Sequence, residues 1–249
     1  MSFSLGIVGL PNVGKSTLFN VVSKAAKAEA ANYPFCTISP NIGVVEVPDE
    51  RLLQLAKNFN SAKIVPTVIE FNDIAGLVKG AHKGEGLGNQ FLSHIRKVDA
   101  MAHVVRCFSD SDVVHVEGDV HPVRDIELID AELILADLAY IDKRYETAKK
   151  ATKSGDKAAI SQLHIMEKVK QALEKGEPAR SVVPILRPEE LKLLADLPLL
   201  TFKPVLYVAN VDESGNKEQV AEIEKIATAQ GAKVVAICAK LEAELVELS

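Results

Sequence analysis

The segment Gly9-Leu10-Pro11-Asn12-Val13-Gly14-Lys15-Ser16-Thr17 constrains this chain more than any other. It follows a short apolar run, residues 3–9, and opens a helical pattern over 16–27. A glycine-rich turn between a strand and a helix lets successive backbone N–H groups point inward around an anion, where the helix N-terminus adds a favourable field. At the spacing GxxxxGK[ST], the lysine can neutralise β- and γ-phosphate oxygens and the following hydroxyl can ligate Mg²⁺. These demands assign Asn12, Val13, Gly14, Lys15, Ser16 and Thr17 to a triphosphate. Lys15 also becomes a candidate for stabilising charge during catalysis, and Ser16 a candidate metal ligand.

Short runs rich in β-branched residues and bounded by Gly, Pro, Asn or Asp fall at 3–9, 42–47, 67–72, 101–107, 205–210 and 234–238. Helical patterns at 16–27, 88–98 and 217–230 lie between several of them. Strands alternating with helices predict an α/β domain, a mainly parallel sheet covered on both faces. Ligands of such sheets bind at the carboxyl ends of the strands, where Gly9, Asp73, Asn210 and Cys238 all fall.

Between about 122 and 201 that rhythm stops. Ile126, Ile129, Leu133, Ala136 and Tyr140 recur at spacings of three and four, as do Ile160, Leu163, Met166, Val169 and Leu173. Each set lays an apolar stripe on one face of a helix, and Ser154-Gly155-Asp156 supplies a turn between them. An antiparallel helical hairpin inserted into the α/β domain follows. The expected division is 1–121 with 201–249 for the P-loop nucleotide-binding domain and 122–200 for the helical insertion.

At 249 residues the chain can bury a core as one large domain, or as one domain carrying an insertion. A net charge of −5 argues against wholesale coating of nucleic acid, though not against a local basic patch. Cys36, Cys107 and Cys238 are widely spaced and form no CxxC pair. A disulfide framework or zinc site is therefore not expected, and a reducing compartment is. The N-terminus lacks the charged region of a signal peptide, and no run approaches ~18 apolar residues, so the chain reads as cytoplasmic, with no membrane span.

Asp73-Ile74-Ala75-Gly76 ends the run at 67–72. Downstream of a phosphate loop, an acid there holds Mg²⁺ through water, and the amide of Gly76 senses the γ-phosphate. Thr37, in Asn32-Tyr33-Pro34-Phe35-Cys36-Thr37, is the candidate to close over the nucleotide and complete the metal shell.

Taken together, GLPNVGKST, NYPFCT, DIAGLVKGAHKGEGLGNQFL, HVVRCF and NVDE resemble, in order and across essentially the whole chain, the YchF family of Obg-like, ribosome-associated ATPases. The resemblance implies a P-loop G domain with a coiled-coil insertion, ATP as substrate and the ribosome as partner. Members usually continue with a C-terminal TGS domain, which is absent from the 249 residues read here.

The residues bear on the base independently. Guanine is selected by Asn-Lys-x-Asp, whose Asp accepts two N–H bonds from the guanine edge. Here Asn210-Val211-Asp212-Glu213 follows the run at 205–210. Val211 lacks the lysine stem, Glu213 carries an extra methylene, and Asp212 is one residue too early. An ionised carboxylate opposite adenine N1 would be repelled, whereas the Asn210 amide can accept from N6–H₂ and donate to N7. Cys238-Ala239-Lys240 supplies backbone amides near the base. The broken guanine code and the resemblance agree on ATP; a GTPase of the same architecture, or a nucleotide-gated RNA- or ribosome-binding protein with incidental turnover, are the alternatives.

In Ras-like enzymes a glutamine after DxxG orients the attacking water. Leu77 stands there and cannot. His115 matches the histidine to which the family resemblance points and is the candidate to position the water. His82 lies in the glycine-rich stretch 80–86, and His103, within an apolar strand, reads as a packed core residue. Asn12 resembles the asparagine that lets some related enzymes use K⁺ as an extra positive charge. Finally, between Asp142 and Lys175 nine basic residues face five acidic ones, an excess of four positive charges on a negative chain. Such a hairpin could touch ribosomal RNA through its phosphates.

Overall fold

The computed structural model of the chain describes residues 3–29, 41–74, 87–110, 118–152 and 156–248. Its strands are β1 (Phe3–Val8), β2 (Ile42–Glu46), β3 (Val68–Asp73), β4 (Ala100–Cys107), β5 (Val205–Val211) and β6 (Lys233–Ile237). They form one sheet in the order β2-β3-β1-β4-β5-β6. Every pairing is parallel except that of β2 with β3. Parallel neighbours need crossover connections, which the helices supply. These are α1 (Lys15–Glu29), α2 (Glu50–Phe59), α3 (Leu87–Lys97), α4 (Pro122–Ala151), α5 (Lys157–Glu174), α6 (Pro188–Ala195), α7 (Lys217–Ala229) and α8 (Ala239–Leu248).

All eight residues of β4 are buried, as expected of a central parallel strand, whose side chains have helices to meet on both faces. One cluster, including Ile7, Val13, Phe19, Phe91, Ile95 and Val104, lies beneath the phosphate loop. A second packs Val105, Tyr207, Ala209, Ile223 and Ala227 between the sheet and α7. No helix among the described residues is long and apolar enough to cross a membrane.

The helical insertion has a cluster of its own. α4 begins with Pro122 at its first position, after His121 accepts a hydrogen bond from the Arg124 N–H at 3.3 Å. Ile126, Ile129, Leu133 and Ala136 are buried along it as their spacing predicts, but they pack into the two clusters of the sheet. From α4 the insertion's own cluster takes Ile134 and Ile141, with half-buried Tyr140 against it. On α5, Met166, Val169 and Leu173 are buried, but Ile160 remains 49% exposed. The packed cluster starts a turn later, at Ile165 and Met166. It is completed by Ala179 and Val182 of a 3-10 helix (Ala179–Ile185) and Leu194 of α6, two short elements the apolar spacing did not predict.

α2 likewise falls outside the predicted helical patterns, although its ends carry legible signals. Asp49 accepts from the Arg51 N–H at 3.0 Å, and Asn60 closes the helix in the left-handed region at φ 47°.

Candidate nucleotide-binding site

β1 delivers the phosphate loop to the carboxyl edge of the sheet, and α1 carries it away. Two glycines are required by geometry. A Cβ on Gly9 would lie 2.5 Å from the Val104 carbonyl oxygen of β4. Gly14 sits at φ +96°, and a Cβ there would overlap the side-chain nitrogen of Asn210. Asn12, at φ 61°, occupies the left-handed region that asparagine tolerates better than most residues.

Lys15 is 8% exposed, and its Nζ donates to the Leu10 carbonyl at 2.6 Å. Burial pulls its pKa down to about 8, against the opposing pull of the Asp73 carboxylate. Asp73 ends β3 in register with Ile7 of β1, which brings it beside the start of α1. Burial raises its carboxyl above the usual range, while Lys15 and a side-chain hydrogen bond with Ser16 pull it back. A hydroxyl and a carboxylate thus meet next to an ammonium, and this hard-oxygen pair fits Mg²⁺. Among the described residues no group of three or more His, Cys, Asp or Glu could hold a metal by itself. A divalent ion on Ser16 and Asp73 would take the rest of its shell from phosphate oxygens and water.

Beside the loop opens a cavity of about 620 Å³. It is lined by Gly14 and Thr17 of the loop and the start of α1, by Asn210, Val211 and Glu213 at the end of β5, and by Cys238, Ala239 and Lys240 after β6. Asn210 lines this cavity and also holds two backbone groups together. Its amide nitrogen donates to the Val13 carbonyl at 2.9 Å, and its oxygen accepts from the Ala239 N–H at 3.1 Å. The side chain is 5% exposed and ties the phosphate loop to the start of α8. The physical reason is that both backbone groups are buried and need partners, and this amide supplies both. Asp212 accepts hydrogen bonds from the Ser214 N–H, at 3.0 Å, and the Ser214 hydroxyl, which hold its carboxyl below its ordinary range. It caps its own turn.

Phe108, Ser109, Asp110, Glu244 and Glu247, none of them a candidate from the motif spacing, also line the cavity. Phe108 had a signal: it follows the C-terminal end of a wholly buried parallel strand, where ligands of such sheets bind. His103 is 3% exposed, with its ring centroid 5.4 Å from that of Tyr207. Burial, helped by the Arg180 and Lys15 charges, pulls its pKa to about 3, so it is a neutral core residue. Cys107 and Cys238 are free thiols. Thr37, Gly76, His82 and His115 lie outside the described residues.

A glycine loop presenting Lys15 and Ser16 at the carboxyl edge of a parallel sheet, answered by Asp73 from the neighbouring strand, defines the G-domain class of P-loop nucleoside triphosphatases. Residues 4–136 match the family model described as 50S ribosome-binding GTPase. The chain belongs to the YchF family. It is 56% identical over 254 residues to the Ribosome-binding ATPase YchF of Bacillus subtilis, and 52% identical over 250 residues to that of Haemophilus influenzae. Each alignment covers 100% of this chain and 68% of the relative. The solved structure of the Schizosaccharomyces pombe YchF GTPase, 38% identical, matches with a TM-score of 0.82 over 100% of this chain and 68% of that one.

Proposed function

We propose that this chain is a Mg²⁺-dependent switch that binds and hydrolyses ATP and acts at the ribosome. The observation that carries the reading is the convergence of the Lys15 ammonium, the Ser16 hydroxyl and the Asp73 carboxylate beside a cavity large enough for a nucleoside. The backbone of Asn12, Val13, Gly14 and Thr17 holds the phosphates. Lys15 leaves the Leu10 carbonyl for β- and γ-phosphate oxygens, whose charge favours its protonated form. Mg²⁺, when bound, neutralises the charge that develops on the transferred phosphoryl group. Ser16 and Asp73 orient it, and Thr37 closes the shell. Gly76 reports the γ-phosphate, and His115 positions the water in place of the absent glutamine. The Asn12 side chain assists a K⁺ ion; equal turnover in Na⁺ and K⁺ would remove that part of the proposal.

ATP is favoured over GTP because the positions that read guanine carry Val211 and Glu213, while Asp212 is engaged in its own turn. Val211, Cys238 and Ala239 shape the pocket around the base, with Asn210 bracing it. The names of the curated relatives, ribosome-binding ATPases, point the same way. A GTPase is the second reading, favoured by the description of the fission-yeast homologue.

Residues 122–200 serve as the ribosome-contacting unit, set on the nucleotide-binding unit formed by 1–121 and 201–249. Lys143, Arg144, Lys149 and Lys150 are exposed along the last turns of α4. Lys168 and Lys170, by contrast, are engaged by Glu190 and Asp142. The exposed four are the residues that meet ribosomal RNA phosphates. Turnover of ATP and GTP measured side by side, with and without ribosomes, tests the reading. Faster, ribosome-stimulated ATP hydrolysis is expected. Preferential GTP hydrolysis would transfer the proposal to the second reading, and negligible turnover of both would leave a nucleotide-gated binding protein.

A further inference from the structure

Arg106 is buried to 1% exposure, one residue before the end of β4. Burying a guanidinium is costly unless its donors are satisfied, so what it holds is informative. Its Nε donates to the Phe108 carbonyl at 3.1 Å, and its Nη2 to the Asp110 carbonyl at 3.2 Å. Its central carbon lies 4.4 Å from the centroid of the Phe108 ring. One side chain therefore fixes two carbonyls two residues apart and one aromatic ring. The segment it fixes, 108–110, lines the cavity together with Asn210 and Ala239. Arg106 itself does not line that cavity.

We propose that Arg106 is a positioning residue for nucleoside recognition, which shapes the wall carrying Phe108 without touching the ligand. The inference rests on reading the cavity as the nucleoside subsite. It makes a sharp distinction between two parts of one ligand. The triphosphate is gripped by the loop at 9–17 and should be indifferent to Arg106, whereas the nucleoside should not. Lysine cannot substitute, because one ammonium on a flexible stem does not reproduce a planar fork lying against a ring.

Equilibrium binding of ATP and of inorganic tripolyphosphate, both with Mg²⁺, would be measured for the parent, Arg106→Lys, Phe108→Leu and the double variant. Each single variant is expected to bind ATP about tenfold more weakly, a change of about 1.4 kcal/mol. Each should bind tripolyphosphate within about twofold of the parent, the scatter expected of an untouched site. Because Arg106 acts through Phe108, the double variant should lose little beyond either single one. An Arg106→Lys chain that binds ATP like the parent overturns the inference. So does one that loses ATP and tripolyphosphate equally, one too unstable to assay, or fully additive losses. A parent that binds tripolyphosphate but gains nothing from the nucleoside would retire the subsite reading itself, and the inference with it.

Discussion

Asp137 and Thr201, 64 residues apart, are joined in the interior by two hydrogen bonds, from the Thr201 N–H at 2.8 Å and its hydroxyl at 2.7 Å. The same carboxyl accepts from the Leu200 N–H at 2.9 Å, and the Thr201 hydroxyl accepts in turn from the Ala179 N–H at 2.8 Å. α4, the 3-10 helix and the approach to β5 thus share one buried polar knot. Asp137 is 1% and Thr201 0% exposed, so water cannot replace a missing partner. Asp137→Ala strands two backbone donors and a hydroxyl, and is expected to cost about 3 kcal/mol in urea unfolding. Thr201→Val should cost about 1–2 kcal/mol. A loss for Asp137→Ala within the scatter of surface substitutions, about 0.5 kcal/mol, would contradict the knot.

Asn210 braces the phosphate loop from the wall of the cavity, and its removal should be felt at the loop. Asn210→Ala leaves the Val13 carbonyl and Ala239 N–H without their partner. A stability loss of about 2 kcal/mol is expected, together with weaker binding of tripolyphosphate as well as of ATP. Loss of ATP binding with tripolyphosphate binding intact would instead make Asn210 a reader of the base.

His103 gives the acid limb of stability a definite sign. The folded chain keeps this imidazole neutral down to about pH 3, because burial disfavours its charge. In the unfolded chain it takes up a proton near pH 6.5. The unfolded state therefore binds more protons between those values, and stability falls as the pH drops through them. His103→Phe removes that dependence and keeps a ring against Tyr207. Between pH 7 and 4 the parent should lose about 3 kcal/mol relative to the variant. Parallel pH profiles in chemical denaturation would show that His103 protonates without unfolding.

The proposed RNA contact predicts an unequal response among lysines that look alike in the sequence. Charge removal at Lys143, Arg144, Lys149 and Lys150 together should weaken ribosome binding and lower its salt slope by up to about four. Removal at Lys168 and Lys170, already paired with Glu190 and Asp142, should change the slope little. Ribosome pelleting across a salt series checks this, and equal slopes for both sets would contradict the assignment.

Legibility followed the physics of each signal. The six strands and the helices at α1, α3 and α7 could be read because β-branched runs and helical periods alternate over long windows. The buried stripe of α4 was legible for the same reason, yet its buried acids Asp125, Glu132 and Asp137 were not, since a period of apolar residues is silent about charges that find partners inside. α6 and the 3-10 helix are too short to show a period. In the site, Lys15, Ser16 and Asp73 could be found because their spacing is fixed by a phosphate. The roles of Arg106 and the double bridge of Asn210 could not, because they depend on which strands become neighbours: Arg106 and Asn210 face each other in the β4–β5 register, and only the fold reveals it.

Binding of ATP and GTP with Mg²⁺ to the parent and to Lys15→Ala, followed by titration calorimetry, tests the central claim most directly. The parent should bind ATP more tightly than GTP, and the variant should lose at least about a hundredfold in affinity for ATP, the scale set by a lost contact to a buried charge. Undiminished affinity in Lys15→Ala, or a parent that binds neither nucleotide, would contradict the account.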